Sequence, residues 1–172
     1  GGFLEHIGSY LPNPEKMIGI DTNQRAIDAA TGRLGEKGYE FMCMSGTELG
    51  FEDASFDVVI STEVLEHVPN PDSYLREVKR VLKPGGMFFF TVPFLMSLHE
   101  VPNDYYRYTP YALEMIFKRN GFSTITIKPM GGYNAAMAQM LGLWVNMYLW
   151  GSKKKMMRII AKPIIKYLYQ ND

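Results

Sequence analysis

Cysteine is almost missing from this chain: Cys43 stands alone, which excludes an intrachain disulfide framework and fits a reducing compartment. Net charge is missing too. Eighteen Lys and Arg balance eighteen Asp and Glu, so nothing global argues for a nucleic-acid partner. No internal repeat, no low-complexity stretch and no secretory signal is visible. One long segment has no charge at all: from Met130 to Ser152 Met, Leu, Trp and Tyr dominate, interrupted by Asn134, Gln139, Gly142 and Asn146. It is long enough to span a bilayer, yet its polar interruptions argue against that.

What remains is globular in composition. Hydrophobic residues make up 47% and charged residues 21% of 172, enough for one domain with a real core. The stretch with most to say is Phe56-Asp57-Val58-Val59-Ile60-Ser61-Thr62-Glu63-Val64-Leu65-Glu66-His67. Asp57 to Ser61 reads as a buried parallel strand that stops abruptly in polar residues. In open α/β sheets ligands bind outside the carboxyl ends of strands, so Ser61 to His67 would sit at the mouth of a site. The plainer reading is a strand edge followed by a solvated helix start.

In chain order, Phe3 to Leu11 reads as a helix, stopped by Pro12-Asn13-Pro14. Met17 to Ile20 is a short strand ending at Asp21, which lies about twenty residues after Gly2. That is the spacing between a glycine turn and a ribose-binding acid; a helix N-cap is the other role open to Asp21. Asn23 to Lys37 reads as a helix with Ala26, Ile27, Ala30 and Leu34 inward and Gly38 at its C-terminus. A strand over Glu40 to Met44 follows. Asn70-Pro71 opens a helix that buries Leu75, Val78, Val81 and Leu82. Lys83-Pro84-Gly85-Gly86 leads into Met87 to Val92, apolar enough for a strand covered on both faces. The loop Leu98 to Tyr108 is rich in aromatics. It is either a lid lining an acceptor pocket or a packed Ω-type loop. Thr109-Pro110 begins a helix with Leu113, Ile116 and Phe117 inward and Gly121 at its end. Phe122 to Ile127 alternates as a half-exposed strand would.

Three pieces of this sequence, in order and at their spacing, carry a resemblance. They are Phe56-Asp57-Val58-Val59-Ile60-Ser61, Val64-Leu65-Glu66-His67-Val68 and Leu82-Lys83-Pro84-Gly85-Gly86. Together they resemble the class I S-adenosylmethionine (SAM)-dependent methyltransferases of the small-molecule type, over roughly residues 1–130. The resemblance implies an α/β fold with a Rossmann-like, doubly wound, mostly parallel sheet. This sheet would be N-terminally truncated, because Gly1 and Gly2 look like the end of a glycine turn whose strand is missing; poor SAM binding or a homodimer covering the open edges would follow. It also implies SAM as cofactor, with Asp21 on the ribose, Ser45 and Gly46 at the adenine, and Ser61, Thr62 and Glu63 at the methionine end. The family often has Asp near position 45, and this chain does not. His99 would be the acceptor's base, with His67 behind it, and the acceptor a small molecule, sugar or lipid. The stretch His99 to Thr109 is similar to methyltransferases encoded among polysaccharide biosynthesis genes. Glu63-Val64-Leu65-Glu66-His67 also resembles the Glu-x-x-Glu-His segment of ubiquinone-type O-methyltransferases, where a divalent ion helps bind a hydroxyl acceptor. Glu-His after this strand is common in the wider family without a metal, and none is assigned. A non-catalytic binding module on the same fold is the alternative.

Residues 131–172 form a separate helical extension, apolar and then basic. From Lys153 onward six Lys and Arg face one Asp, a balance of +5. Lys153-Lys154-Lys155 beside Trp150, followed by a basic apolar segment broken at Pro163, suits peripheral membrane contact through residues 144–169. Burial against the domain or a dimer partner is the other reading. The expected location is the cytoplasm, at the inner face of a membrane if the tail docks there.

Overall fold

The computed structural model describes residues 15–172. The helix expected over Phe3 to Leu11, and Gly1 and Gly2, lie outside the described residues. The chain divides into two compact units, one of residues 1–60 with 70–89 and one of 61–69 with 90–172.

In the first unit β1 (Met17–Asp21) leads into α1 (Gln24–Leu34) and β2 (Tyr39–Cys43). The two strands pair in parallel, Met17 opposite Tyr39 and Asp21 opposite Cys43. Parallel strands need a crossover, and α1 supplies it. Asn23 starts α1 by accepting a hydrogen bond from the Arg25 N–H. Gly38, at φ +85°, closes the turn after it in the left-handed region where glycine is favoured. Ile27 and Leu34 are buried as expected, whereas Ala26 is exposed and Ala30 half-buried, so the inner face is narrower than its periodicity predicts.

β3 (Phe56–Thr62), α2 (Pro71–Val81) and β4 (Leu82–Thr91) form a strand–helix–strand unit, β3 pairing with β4. The Asn70 side chain caps α2, Pro71 occupies its first turn, and Tyr74, Leu75, Val78 and Val81 are buried. β4 starts earlier than expected and takes in the Lys-Pro-Gly-Gly segment. A Cβ on Gly86 would stand 2.9 Å from the Lys83 carbonyl oxygen and 3.0 Å from that of Asp57, so only glycine fits.

Two expectations of burial fail. Val58 is 38% exposed on β3, and Met87 and Phe89 are 65% and 50% exposed on β4. Phe88 and Phe90 between and beyond them are half-buried, so β4 has one covered face and one open face. Among the described residues the strands form two ladders of two strands each, β1 with β2 and β3 with β4, so each strand keeps an edge without a strand partner.

The loop before β3 is held by Arg80. Its guanidinium donates to both carboxylate oxygens of Glu77, to Asp53, and to the Phe51 and Leu49 carbonyls. Glu77 also accepts the Leu49 N–H at 2.7 Å. These bonds hold the Glu77 carboxyl down at about 2, first through the Arg80 hydrogen bonds.

In the second unit α3 (Pro110–Arg119) is capped by Thr109 and buries Leu113, Ile116 and Phe117, with Phe90 stacked on Phe117. Residues 122–127 form no strand: no partner ladder exists for them among the described residues, and alternation alone cannot make one. α4 (Tyr133–Met147) and α5 (Gly151–Gln170) pack as a hairpin. Its open end is tied by Asp172, which accepts from the Gly132 and Ala135 N–H groups and so supplies the cap that Gly132 lacks. Its closed end is tied by Arg158 and Lys154, which bond Asn146. Pro163 does not break α5. No helix of the described residues is long and apolar enough to cross a membrane.

Candidate active site

In the first unit the carboxyl ends of β1 and β2 lie side by side, and the Met44 N–H donates to the Asp21 carbonyl. Asp21 is therefore brought next to the turn holding Ser45 and Gly46. Asp21 does not cap α1, a role Asn23 takes. One oxygen of its exposed carboxylate accepts the Asn23 N–H at 2.7 Å, which fixes its orientation, and the second oxygen is not needed for that turn. The Ser45 hydroxyl pairs with the Thr47 hydroxyl at 2.7 Å and accepts the Thr47 N–H. Gly46 lies flat against the Tyr74 ring: a Cβ there would come within 2.5 Å of it. The backbone at 45–46 can approach a flat ligand closely because no side chain intervenes.

In the second unit Ser61 is buried and Thr62 half-buried at the end of β3. Glu63 follows at φ +51°, a strained value for a residue with a Cβ, and is held there by its N–H bond to the Thr91 carbonyl. The chain then makes the tight turn Leu65–His67. Leu65 turns inward and carries Glu66 with it, fully buried.

The loop predicted as lid or packing element closes over this turn. The Tyr105 and Tyr106 N–H groups donate to the Glu66 carbonyl, the Tyr106 hydroxyl to the Pro69 carbonyl, and the buried Tyr108 hydroxyl to that of Leu65. Tyr106 and Tyr108 are thus packing residues. The same loop brings His99 to His67, their Nε2 atoms 3.1 Å apart. Glu66 Oε1 lies 3.6 Å from Nε2 of His67 and 3.9 Å from that of His99. Neither Glu66 oxygen has a hydrogen-bond partner. Burial pushes the Glu66 carboxyl above the usual range, opposed only in part by its own backbone N–H and the two imidazoles.

Asp104 and Arg107 support His99. Arg107 grips both oxygens of Asp104 at 2.6 and 2.7 Å, and Asp104 accepts the His99 N–H at 3.0 Å. The Asp104 side chain is 1% exposed, and the guanidinium holds its carboxyl well below the ordinary carboxylate value. Neither residue was singled out from sequence. An Asp and an Arg three positions apart inside an aromatic loop was the signal available. Glu63 does not join the Glu66, His67 and His99 group; its place is taken by His99, 32 residues beyond His67.

In each unit, taken by itself, polar residues follow the carboxyl end of a strand, where α/β proteins bind ligands. The comparisons make this specific. A family model described as "Methyltransferase domain" matches residues 1–90. The chain belongs to that family, and within it to the class I SAM-dependent methyltransferases. It is 37% identical over 91 residues to a phthiotriol/phenolphthiotriol dimycocerosates methyltransferase of Mycobacterium ulcerans, covering 53% of this chain and 33% of that one. It is likewise 37% identical over 86 residues to a fatty-acid O-methyltransferase of Mycolicibacterium smegmatis, covering 48% and 31%. The chain thus spans about a third of the length of these relatives. Its fold matches the Bacillus subtilis YcgJ crystal structure at a TM-score of 0.54 and 22% identity, covering 61% of this chain and 51% of that one. The Rossmann-like α/β expectation therefore holds.

Proposed function

We propose that this protein transfers a methyl group from SAM to an oxygen of a lipid-like acceptor. The observation that carries the reading is the family match over residues 1–90, which runs through Asp21, Ser45, Gly46 and the end of β3. On this reading the Asp21 carboxylate accepts hydrogen bonds from the ribose hydroxyls, the Ser45–Gly46 backbone lies along the adenine, and Ser61 to Glu63 receive the methionine end. The acceptor oxygen attacks the methyl carbon in line as the carbon–sulfur bond breaks. The electron pair passes to sulfur and releases S-adenosylhomocysteine. The acceptor's proton goes to an imidazole Nε2 of His99 or His67. Most of the activation resides in the sulfonium, so the protein's part is alignment and exclusion of water.

Two things support a lipid acceptor. Both relatives are named for lipid substrates. The α4–α5 hairpin also leaves Trp150, Ile159 and Tyr167 79%, 71% and 65% exposed among its lysines, a surface suited to contact with an anionic membrane through residues 144–169.

Calorimetric titration with SAM tests the cofactor half. Asp21→Ala loses charge-assisted hydrogen bonds worth about 1.5–3 kcal/mol each, so affinity should fall roughly tenfold or more in a protein of unchanged melting temperature. A folded variant that binds as tightly as wild type removes Asp21 from the site.

A further inference from the structure

The Glu66, His67 and His99 side chains converge on one point, and their surroundings decide what they offer it. His67 Nδ1 lies 2.7 Å from the Asn103 carbonyl oxygen, which can only accept, so Nδ1 carries a proton and Nε2 is the atom left to act as a ligand. His99 Nδ1 faces the Ser97 carbonyl and the Asp104 carboxylate, each at 3.3 Å, so its proton also sits on Nδ1. Arg107 Nη2, at 3.4 Å, is the weaker neighbour. The two Nε2 atoms thus face each other across 3.1 Å, beside a fully buried carboxylate with no hydrogen-bond partner.

We propose that Glu66, His67 and His99 form a site for one zinc-class divalent ion, bound through the two Nε2 atoms and the Glu66 carboxylate. The spacing fits. Bonds of about 2.05 Å at the tetrahedral angle place ligand atoms about 3.3 Å apart; here the separations are 3.1, 3.6 and 3.9 Å. Two imidazoles and one carboxylate suit Zn²⁺ and Co²⁺ and leave a fourth position open. The outer bonds are those a metal-bound histidine uses to fix its ring: a backbone carbonyl behind His67, and a carboxylate and a carbonyl behind His99. Asp104, gripped by Arg107, is a positioning residue for His99. An ion here would occupy both Nε2 lone pairs and would lower the pKa of a bound acceptor hydroxyl, whose proton would then pass to solvent and not to an imidazole. The ion site itself rests on this geometry and not on the methyl-transfer reading.

The test is calorimetric titration of chelator-stripped protein with ZnCl₂, with Co²⁺ visible absorption reporting the ligand field. Wild type should bind one ion per chain and give the intense d–d bands of a four-coordinate site. His99→Gln and His67→Gln should each weaken binding at least a hundredfold and abolish those bands. Asp104→Asn should weaken it about ten- to a hundredfold. Cys43→Ser should change nothing. His99 lies on a loop and is a quarter exposed, so its variant remains informative if that at 67 fails to fold. Wild type that takes up no ion at about 100 μM Zn²⁺, well above the range expected of a three-ligand site, overturns the proposal. So does one-to-one binding that survives His99→Gln.

Discussion

Glu77→Gln removes the charge but not the shape at the centre of the clamp on residues 49–53, and its cost follows from the bonds in place. Glu77 receives two hydrogen bonds from Arg80, at 2.8 and 2.9 Å, and one from the Leu49 N–H at 2.7 Å. Its carboxyl is held at about 2 against an ordinary 4.5. At about 1.4 kcal/mol per unit, this sets an upper bound of about 3.5 kcal/mol on the stability carried by the charged form. The side chain is 21% exposed, so screening brings the expectation to about 2 kcal/mol. Because the folded value is depressed, this stability is fully present above the unfolded value of 4.5 and is lost as pH falls toward 2. Urea unfolding of both proteins should therefore show a difference that is flat from about pH 6 to 8 and narrows below about pH 4.5. A difference under about 0.5 kcal/mol at pH 7, the size of an exposed pair, would refute the clamp. A difference that does not narrow on acidification would refute its electrostatic origin.

Gly46→Ala drives a methyl group into the Tyr74 ring and should cost about 1–3 kcal/mol in thermal unfolding; an unchanged melting temperature would show that the ring is free to move. Glu66→Gln acts in the opposite sense. Burial raises the folded pKa of Glu66, so the wild type is favoured below 4.5 and loses stability as pH rises through the folded value. In chelator, the glutamine variant should gain on wild type with rising pH; a variant that gains nothing as pH rises would contradict this. Lys153 and Lys155 are exposed, while Lys154 is tied to the Asn146 carbonyl and lies over Trp150. Replacing Lys153 and Lys155 by Gln should weaken binding to anionic vesicles about thirtyfold at low salt, from roughly 1 kcal/mol each. Equal binding to neutral vesicles would argue against a charge-driven contact.

Much of this could be read from local sequence, for physical reasons. Asn70-Pro71 and Thr109-Pro110 fix helix starts by chemistry that needs nothing distant, and both lie where expected. Leu75, Val78 and Val81 recur at the helical period and are buried. Misreadings arise where partners decide. Val58, Met87 and Phe89 have the composition of covered strands, but their exposure depends on what packs against each face. Phe122 to Ile127 alternates as a strand would, but among the described residues there is no ladder for it to join. Pro163 interrupts the pattern of α5 but not the helix. At the candidate site, the positions of Asp21 and Ser45 could be read because Asp21 ends β1 and Ser45 follows β2 within two residues. The Glu66, His67 and His99 group was not. His67 and His99 are 32 residues apart and meet through a loop whose course is set by the Tyr105, Tyr106 and Tyr108 bonds to residues 65–66. Glu63, which the linear segment favoured, is instead taken up in a strained turn.

The most direct measurement is methyl transfer itself. The protein is incubated with methyl-tritiated SAM and vesicles containing a long-chain fatty acid or a hydroxylated lipid, and label is then counted in the organic phase. Methyl transfer to the lipid oxygen predicts label that accumulates with time, is suppressed by S-adenosylhomocysteine, and falls roughly tenfold or more at sub-saturating SAM in Asp21→Ala. Saturable SAM binding with no label passing to any such acceptor would contradict it, and would leave the protein a SAM-binding module without transferase activity.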